Sequence, residues 1–175
     1  MIIENVFDKI KEGMLHAGVP SSFVSASMKP LDETTGKRVK LAVKLMETKP
    51  LIFVTGVDSP IKDTVCAQIM YQYMLAHNKN GLWLTPSTIP TSFTEERLKT
   101  RGITVILGLE ILQVFQIKAV AQLLRDRLPH GAAFIISMGT DTAHEAIFGA
   151  DLTDYLSHYA VMFNVKSERQ EIAKV

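Results

Sequence analysis

Leu51-Ile52-Phe53-Val54-Thr55-Gly56-Val57-Asp58-Ser59-Pro60-Ile61-Lys62-Asp63-Thr64 joins an apolar run to the start of an amphipathic segment. A buried strand that ends at a glycine and opens a helix is where an α/β sheet places a phosphate-cradling loop, written G-x-x-x-x-G-K-[ST]. In such a loop backbone N–H groups and the helix N-terminus hold the phosphates, the lysine reaches the terminal ones, and the hydroxyl holds Mg²⁺. Gly56 and Lys62 stand at the required spacing. The second glycine is replaced by Ile61, whose branched side chain resists the backbone conformation the loop needs. The hydroxyl is replaced by Asp63, an anion facing an anionic ligand. The scaffold of the site is present and its chemistry is half erased.

Outward from this stretch, short apolar runs recur at residues 51–55, 82–85, 103–109, 132–138 and 159–165. Each has the length and composition of a strand buried on both faces. Helical stripes lie between them: Val65, Cys66, Ile69, Met70, Tyr73 and Met74 form one, and Val114, Ile117, Val120, Ala121, Leu124 and Leu128 another. The alternation predicts an α/β fold with a five-stranded parallel sheet flanked by helices. Residues 94–98 are expected to add one or two helical turns. Before the first strand, Ile3, Val6, Phe7, Ile10 and Met14 mark a helix that Gly18 and Pro20 end, an irregular stretch runs through Gly36, and a second helix is expected over residues 37–47.

The chain has 175 residues, one domain's worth, with 19 basic and 18 acidic residues for a net charge of +1. No bulk charge advertises nucleic acid, a membrane or an acidic partner. A single cysteine, Cys66, excludes an intrachain disulfide framework and fits a reducing compartment. No apolar run approaches the ~20 residues of a membrane span, and Glu4, Asp8, Lys9 and Lys11 stand where a signal peptide is apolar. A cytoplasmic protein without a membrane contact is the expectation.

The order of these pieces resembles the helicase-loader branch of the AAA+ ATPases, the DnaC, DnaI and IstB-like proteins, over roughly residues 15–166. Ala17-Gly18-Val19-Pro20 and the stretch from Phe23 to Ser27 look like that family's lead-in. The third strand sits where the family has a strand ending in paired acids, and those positions here are Gly108 and Leu109, with Glu110 one residue beyond. The fourth strand is similar to the sensor strand, with Met138 in place of its terminal amide. Residues 148–156 fall where loaders carry two arginines, and Asp151 and Tyr155 stand in those positions.

The resemblance implies a P-loop sheet of the AAA+/RecA-like kind, here without the lid domain, and divides the chain into an N-terminal helix at 1–16 and a degenerate AAA+-like domain at 17–175. It implies a replication protein of phage or mobile-element origin that binds a replicative helicase, loading or inhibiting it, without hydrolysing ATP. Ile3, Phe7 and Ile10 are the expected helicase-docking residues. Gly56, Lys62 and Asp63 are a vestigial nucleotide site, with ATP binding weak or absent and no cofactor required. A functional small P-loop nucleotide switch using Lys62 and Glu110, or an inert subunit of an AAA+ assembly such as a clamp loader, are the alternatives.

Individual residues also carry plainer readings. Lys62 fits an exposed lysine in a first helical turn as well as a residual phosphate contact. Asp63 fits a carboxylate that stabilises a helix N-terminus, by about 0.3–1 kcal/mol. Lys118, Arg125 and Arg127, with Lys99 and Arg101, suggest a surface for single-stranded DNA, or simply solvated helix faces. Trp83 reads as core, and Cys66 as a buried small hydrophobe. The five histidines are scattered without metal-ligand spacing, and no G-x-S-x-G elbow or dinucleotide-binding glycine triplet appears.

Overall fold

A computed structural model describes residues 2–29, 31–90, 93 and 101–165, with the side chains of 2–4 and 101 outside that description. Five parallel strands form one sheet in the order β2-β3-β4-β1-β5. They are β1 Leu51–Thr55, β2 Asn80–Leu84, β3 Arg101–Ile106, β4 Ala133–Met138 and β5 Ala160–Asn164. Seven α-helices surround it among the described residues: α1 Ile2–His16, α2 Ser21–Ser27, α3 Glu33–Leu45, α4 Ser59–His77, α5 Val114–Arg127, α6 Ala143–Phe148 and α7 Ala150–Ser157.

β1 runs between β4 and β5, so all of its residues are buried and its side chains alternate between two cores. Ile52 and Val54 point into the core built with α1 to α4, whereas Leu51 and Phe53 point into the one built with α5 to α7. β4 divides in the same way, with Ala133 and Ile135 on the first face and Phe134, Ile136 and Met138 on the second. Continuous apolar runs are what such doubly covered strands require, and this made the inner strands visible in the sequence.

The strand ends moved where local geometry turns the chain. β3 stops at Ile106 because Gly108 adopts a left-handed conformation (φ 69°) and opens a short 3₁₀ turn over Leu109–Ile111. The stretch expected to be irregular contains α2, and α3 starts at Glu33 instead of Lys37. Asp32 supplies that earlier start: its carboxylate accepts the Thr35 N–H and the Thr35 hydroxyl, each at 2.7 Å. Residues 94–98 lie outside the described residues.

α1 is part of the body of the protein. Ile10 and Met14 are core residues, Phe7 packs against that core, and the main-chain N–H of Trp83 donates to the Ala17 carbonyl at 2.8 Å along the outer edge of β2. The opposite edge strand, β5, is held by Arg38, which lies 4.3 Å over the Phe163 ring and donates to the Asn164 carbonyl at 2.7 Å.

Candidate functional site

In an open parallel sheet ligands bind beyond the carboxyl ends of the strands, and here that rim is built from the exits of β1, β3, β4 and β5. Gly56 leaves β1 with φ 153°, a conformation open to glycine alone. A Cβ there would stand 2.8 Å from the Val165 carbonyl, and the Val165 N–H donates to the Thr55 carbonyl at 2.7 Å. The chain leaving β5 thus closes on the loop that leaves β1.

At the helix N-terminus where a phosphate would be cradled, the chain supplies its own cap. Asp58 is the N-cap of α4 and accepts the Ile61 N–H at 3.1 Å, while Pro60, in the first turn, has no N–H to offer. The Lys62 N–H donates to the Asp58 carbonyl at 3.0 Å. The capping role expected of Asp63 therefore belongs to Asp58, five residues earlier. Asp63 sits half-buried on the next turn, where burial raises its carboxyl above the ordinary value and the neighbouring Lys62 ammonium opposes the shift.

Lys62 is not the exposed lysine of the plainer reading. It is 6% exposed, and its Nζ donates to the Met138 carbonyl at 3.1 Å. Glu110, in the 3₁₀ turn after β3, accepts the N–H of Gly139. The structure thus brings Lys62 and Glu110 to consecutive residues at the end of β4. Met138 itself is fully buried in the core, so its thioether is withdrawn from the rim.

Three further contacts tie the strand ends together. The Thr55 hydroxyl donates to the Asp141 carboxylate at 2.8 Å and also meets the Asn164 side-chain amide, joining β1, the loop after β4, and β5. The Ser137 hydroxyl oxygen accepts the Gly108 N–H at 2.9 Å, joining β4 to the β3 exit.

These residues do not fit a Mg²⁺-nucleotide. One loop N–H, that of Ile61, is taken by the Asp58 carboxylate, the lysine is engaged by a backbone carbonyl, and a carboxylate replaces the metal-binding hydroxyl. No group of three or more His, Cys, Asp or Glu residues is arranged to hold a metal among the described residues.

The other expected site residues lie apart from the rim. Ile10 is buried and Phe7 half-buried against the core, leaving Val6 and Leu15 as the outward apolar residues of α1 among the described side chains. The side chain of Ile3 lies outside the described residues, as do Lys99 and the side chain of Arg101. Lys118, Arg125 and Arg127 all sit on α5, the first two exposed and the third half-buried. Trp83 is buried beside Phe23, with ring centroids 6.1 Å apart. Asp151 is exposed on α7, and Tyr155 packs on Tyr159 at 5.3 Å. No described helix is long and apolar enough to cross a membrane.

Asp58 and Pro60 are the functional residues that reading the spacing alone missed. An Asp-x-Pro sequence before a helical stripe is itself a legible N-cap signal. The Lys62 bond to β4 had no such signal, because its acceptor is a main-chain carbonyl 76 residues away.

No family model matches the chain, and no curated protein matches it in sequence. Solved structures do match in fold. The DnaC helicase loader superposes with a TM-score of 0.59 at 11% identity, covering 79% of this chain and 93% of that one. DnaI superposes at 0.57 with 13% identity, over 85% and 92%. A structure of the Drosophila origin recognition complex, ORC, bound to poly(dA/dT) DNA and Cdc6 superposes at 0.55 with 10% identity, over 99% of this chain and 35% of that one. The fold is a five-stranded parallel α/β sheet flanked by helices, like that of the DnaC helicase loader.

Proposed function

We propose that this protein acts in DNA replication through contact with a replicative helicase, loading or restraining it without hydrolysing ATP. The observation that carries the reading is the closure of the strand-end rim by the chain's own groups: Asp58 on the α4 N-terminus, Lys62 on the β4 carbonyl, and Glu110 on Gly139. A loader-like shape is kept while the groups that would hold a nucleotide are turned inward. The helicase contact is assigned to α1, whose outward face carries Val6 and Leu15 at 43% and 50% exposure. Phe7 and Ile10, which reach the core, orient that helix.

Size-exclusion chromatography with light scattering, on the purified protein and its host's replicative helicase without nucleotide, tests this. A stoichiometric complex, lost in Leu15→Asp at unchanged thermal stability, is the expected result. Absence of a complex, or a complex that forms only with ATP, overturns it.

A second reading, a nucleotide switch, draws on the convergence of Lys62 and Glu110 at Met138 and Gly139. It requires the Asp58 cap and the Lys62 bond to be given up on binding. It predicts saturable ATP affinity that Lys62→Ala removes.

A further inference from the structure

The two edges of the sheet are finished differently. The outer side of β2 bonds the chain at Ala17, whereas β5 is held at one end only. The Leu51 N–H donates to the Tyr159 carbonyl and the Val165 N–H to the Thr55 carbonyl, so residues 159, 161, 163 and 165 turn their main chain towards β1. By the period of two, Ala160, Met162 and Asn164 turn theirs outward. Among the described residues one of these outward groups is engaged, the Asn164 carbonyl, by Arg38. The strand Ala160–Asn164 holds no charge and no proline, the residues that ordinarily keep an edge from pairing.

An exposed apolar row runs beside this edge. Arg38 lies over Phe163 near the end of β5, and α3 leads from there towards β1, whose first residue pairs with Ala160. The helix therefore runs antiparallel to β5. Leu41 and Leu45 follow Arg38 at the three- and four-residue spacing of one helical stripe. Leu45 lies about 10 Å beyond Arg38, which is also the rise of β5 from Phe163 back to Ala160. These leucines are 56% and 37% exposed, and Met162, on the other face of the strand, is 39% exposed.

Around the leucines the surface is basic. Residues 33–49 carry five basic and two acidic side chains, in a chain whose net charge is +1. Glu33 is taken by Lys37 at 2.6 Å, and Lys40 and Lys44 have no ion pair among the described residues. Glu47 lies past the end of α3, and Asp151 and Asp154 belong to α7, on the opposite face of the sheet.

We propose that the β5 edge takes up an extended acidic segment of a partner protein as a sixth strand. The outward N–H and C=O groups of Met162 and its neighbours supply the pairing. On the α3 face, carboxylate side chains of the segment lay their stems along Leu41 and Leu45 and reach Lys37 and Lys44. On the other face an apolar side chain covers Met162. A second copy of this chain is the poorer fit, because antiparallel pairing of two β5 edges sets their α3 helices side by side and brings like charges together. The assignment is independent of the helicase contact on α1, which packs at the β2 edge.

The test is a titration of the full chain with a short capped peptide alternating glutamate and valine, read by NMR on main-chain amides. Saturable shifts at Ala160, Met162 and Asn164 are expected, with slowed hydrogen exchange at Met162, and a peptide alternating lysine and valine does not reproduce them. Met162→Pro abolishes binding and keeps the β1 ladder, because the N–H it removes points outward. Lys37→Glu combined with Lys44→Glu, both exposed, weakens binding about tenfold, as for two reversed surface pairs. Leu15→Asp leaves it unchanged. Four results overturn the proposal. They are no shift at millimolar peptide, equal binding of the lysine peptide, a Met162 amide already protected in the free monomer, and a dimer in light scattering that Met162→Pro abolishes. The third shows that the chain covers its own edge, and the fourth makes a second copy the occupant.

Discussion

The sheet interior and the rim at its carboxyl ends are built on different principles, although they share strands. Inside, β1 and β4 are held by alternating apolar side chains, and many residues of similar size serve equally well. At the rim, single polar contacts fix each crossing: Thr55 with Asp141 and Asn164, Lys62 with Met138, Glu110 with Gly139, and Ser137 with Gly108. A sheet of this kind keeps its shape whether or not its rim holds a ligand. On the proposed reading, a rim without nucleotide chemistry leaves the fold intact, provided it finds internal partners for the groups it frees.

If the interior carries the stability, the largest effect comes from deleting a side chain there. Phe53→Ala removes a fully buried ring stacked 4.8 Å from His144, and a loss of about 3–5 kcal/mol is expected in chemical denaturation. A loss no greater than that of a rim variant breaks the distinction. Next comes Gly56→Ala, which forces a Cβ to 2.8 Å from the Val165 carbonyl at φ 153°. It is expected to cost about 1–3 kcal/mol, and an unchanged denaturation midpoint shows that β5 does not press on the loop. Asp58→Ala removes the α4 cap for about 1 kcal/mol. It does not create ATP affinity, since Pro60, Ile61 and Asp63 remain.

The smallest expected effect sharpens the comparison through pH. Burial raises the Asp63 carboxyl, so the folded state takes up its proton more readily than the unfolded chain does. Ionised Asp63 is thus a cost above the folded pKa, and that cost disappears well below the ordinary value of 3.8. Asp63→Asn should raise the melting temperature slightly at neutral pH and leave it unchanged in strong acid. Equal gains at both extremes contradict burial as the cause.

The same division decided what was legible in the sequence. Inner strands buried on both faces leave continuous apolar runs and the partly buried edge strands β2 and β5 leave shorter ones, so all five appeared with boundaries within a few residues and β1 with both ends matching. Helices beginning at a polar cap were harder, because Asp32 and Asp58 act through one bond to a nearby N–H and leave no periodic trace. At the rim, the replacements Ile61 and Asp63 are evident in the sequence at the loop's spacing. The contacts of Lys62 and Glu110 were invisible, because both bond main-chain groups of β4's exit, which any residue provides. The apolar stripe of α1 was recognised, but periodicity does not distinguish a face that packs inward from one that meets a partner.

Equilibrium titration of the purified protein with ATP and Mg²⁺, followed by calorimetry, tests the central claim most directly. The account predicts no saturable binding up to millimolar nucleotide, in the native protein and in Lys62→Ala alike. Saturable micromolar binding in the native protein that disappears in Lys62→Ala would contradict it, by showing that the closed rim opens to receive the ligand it has been read as replacing.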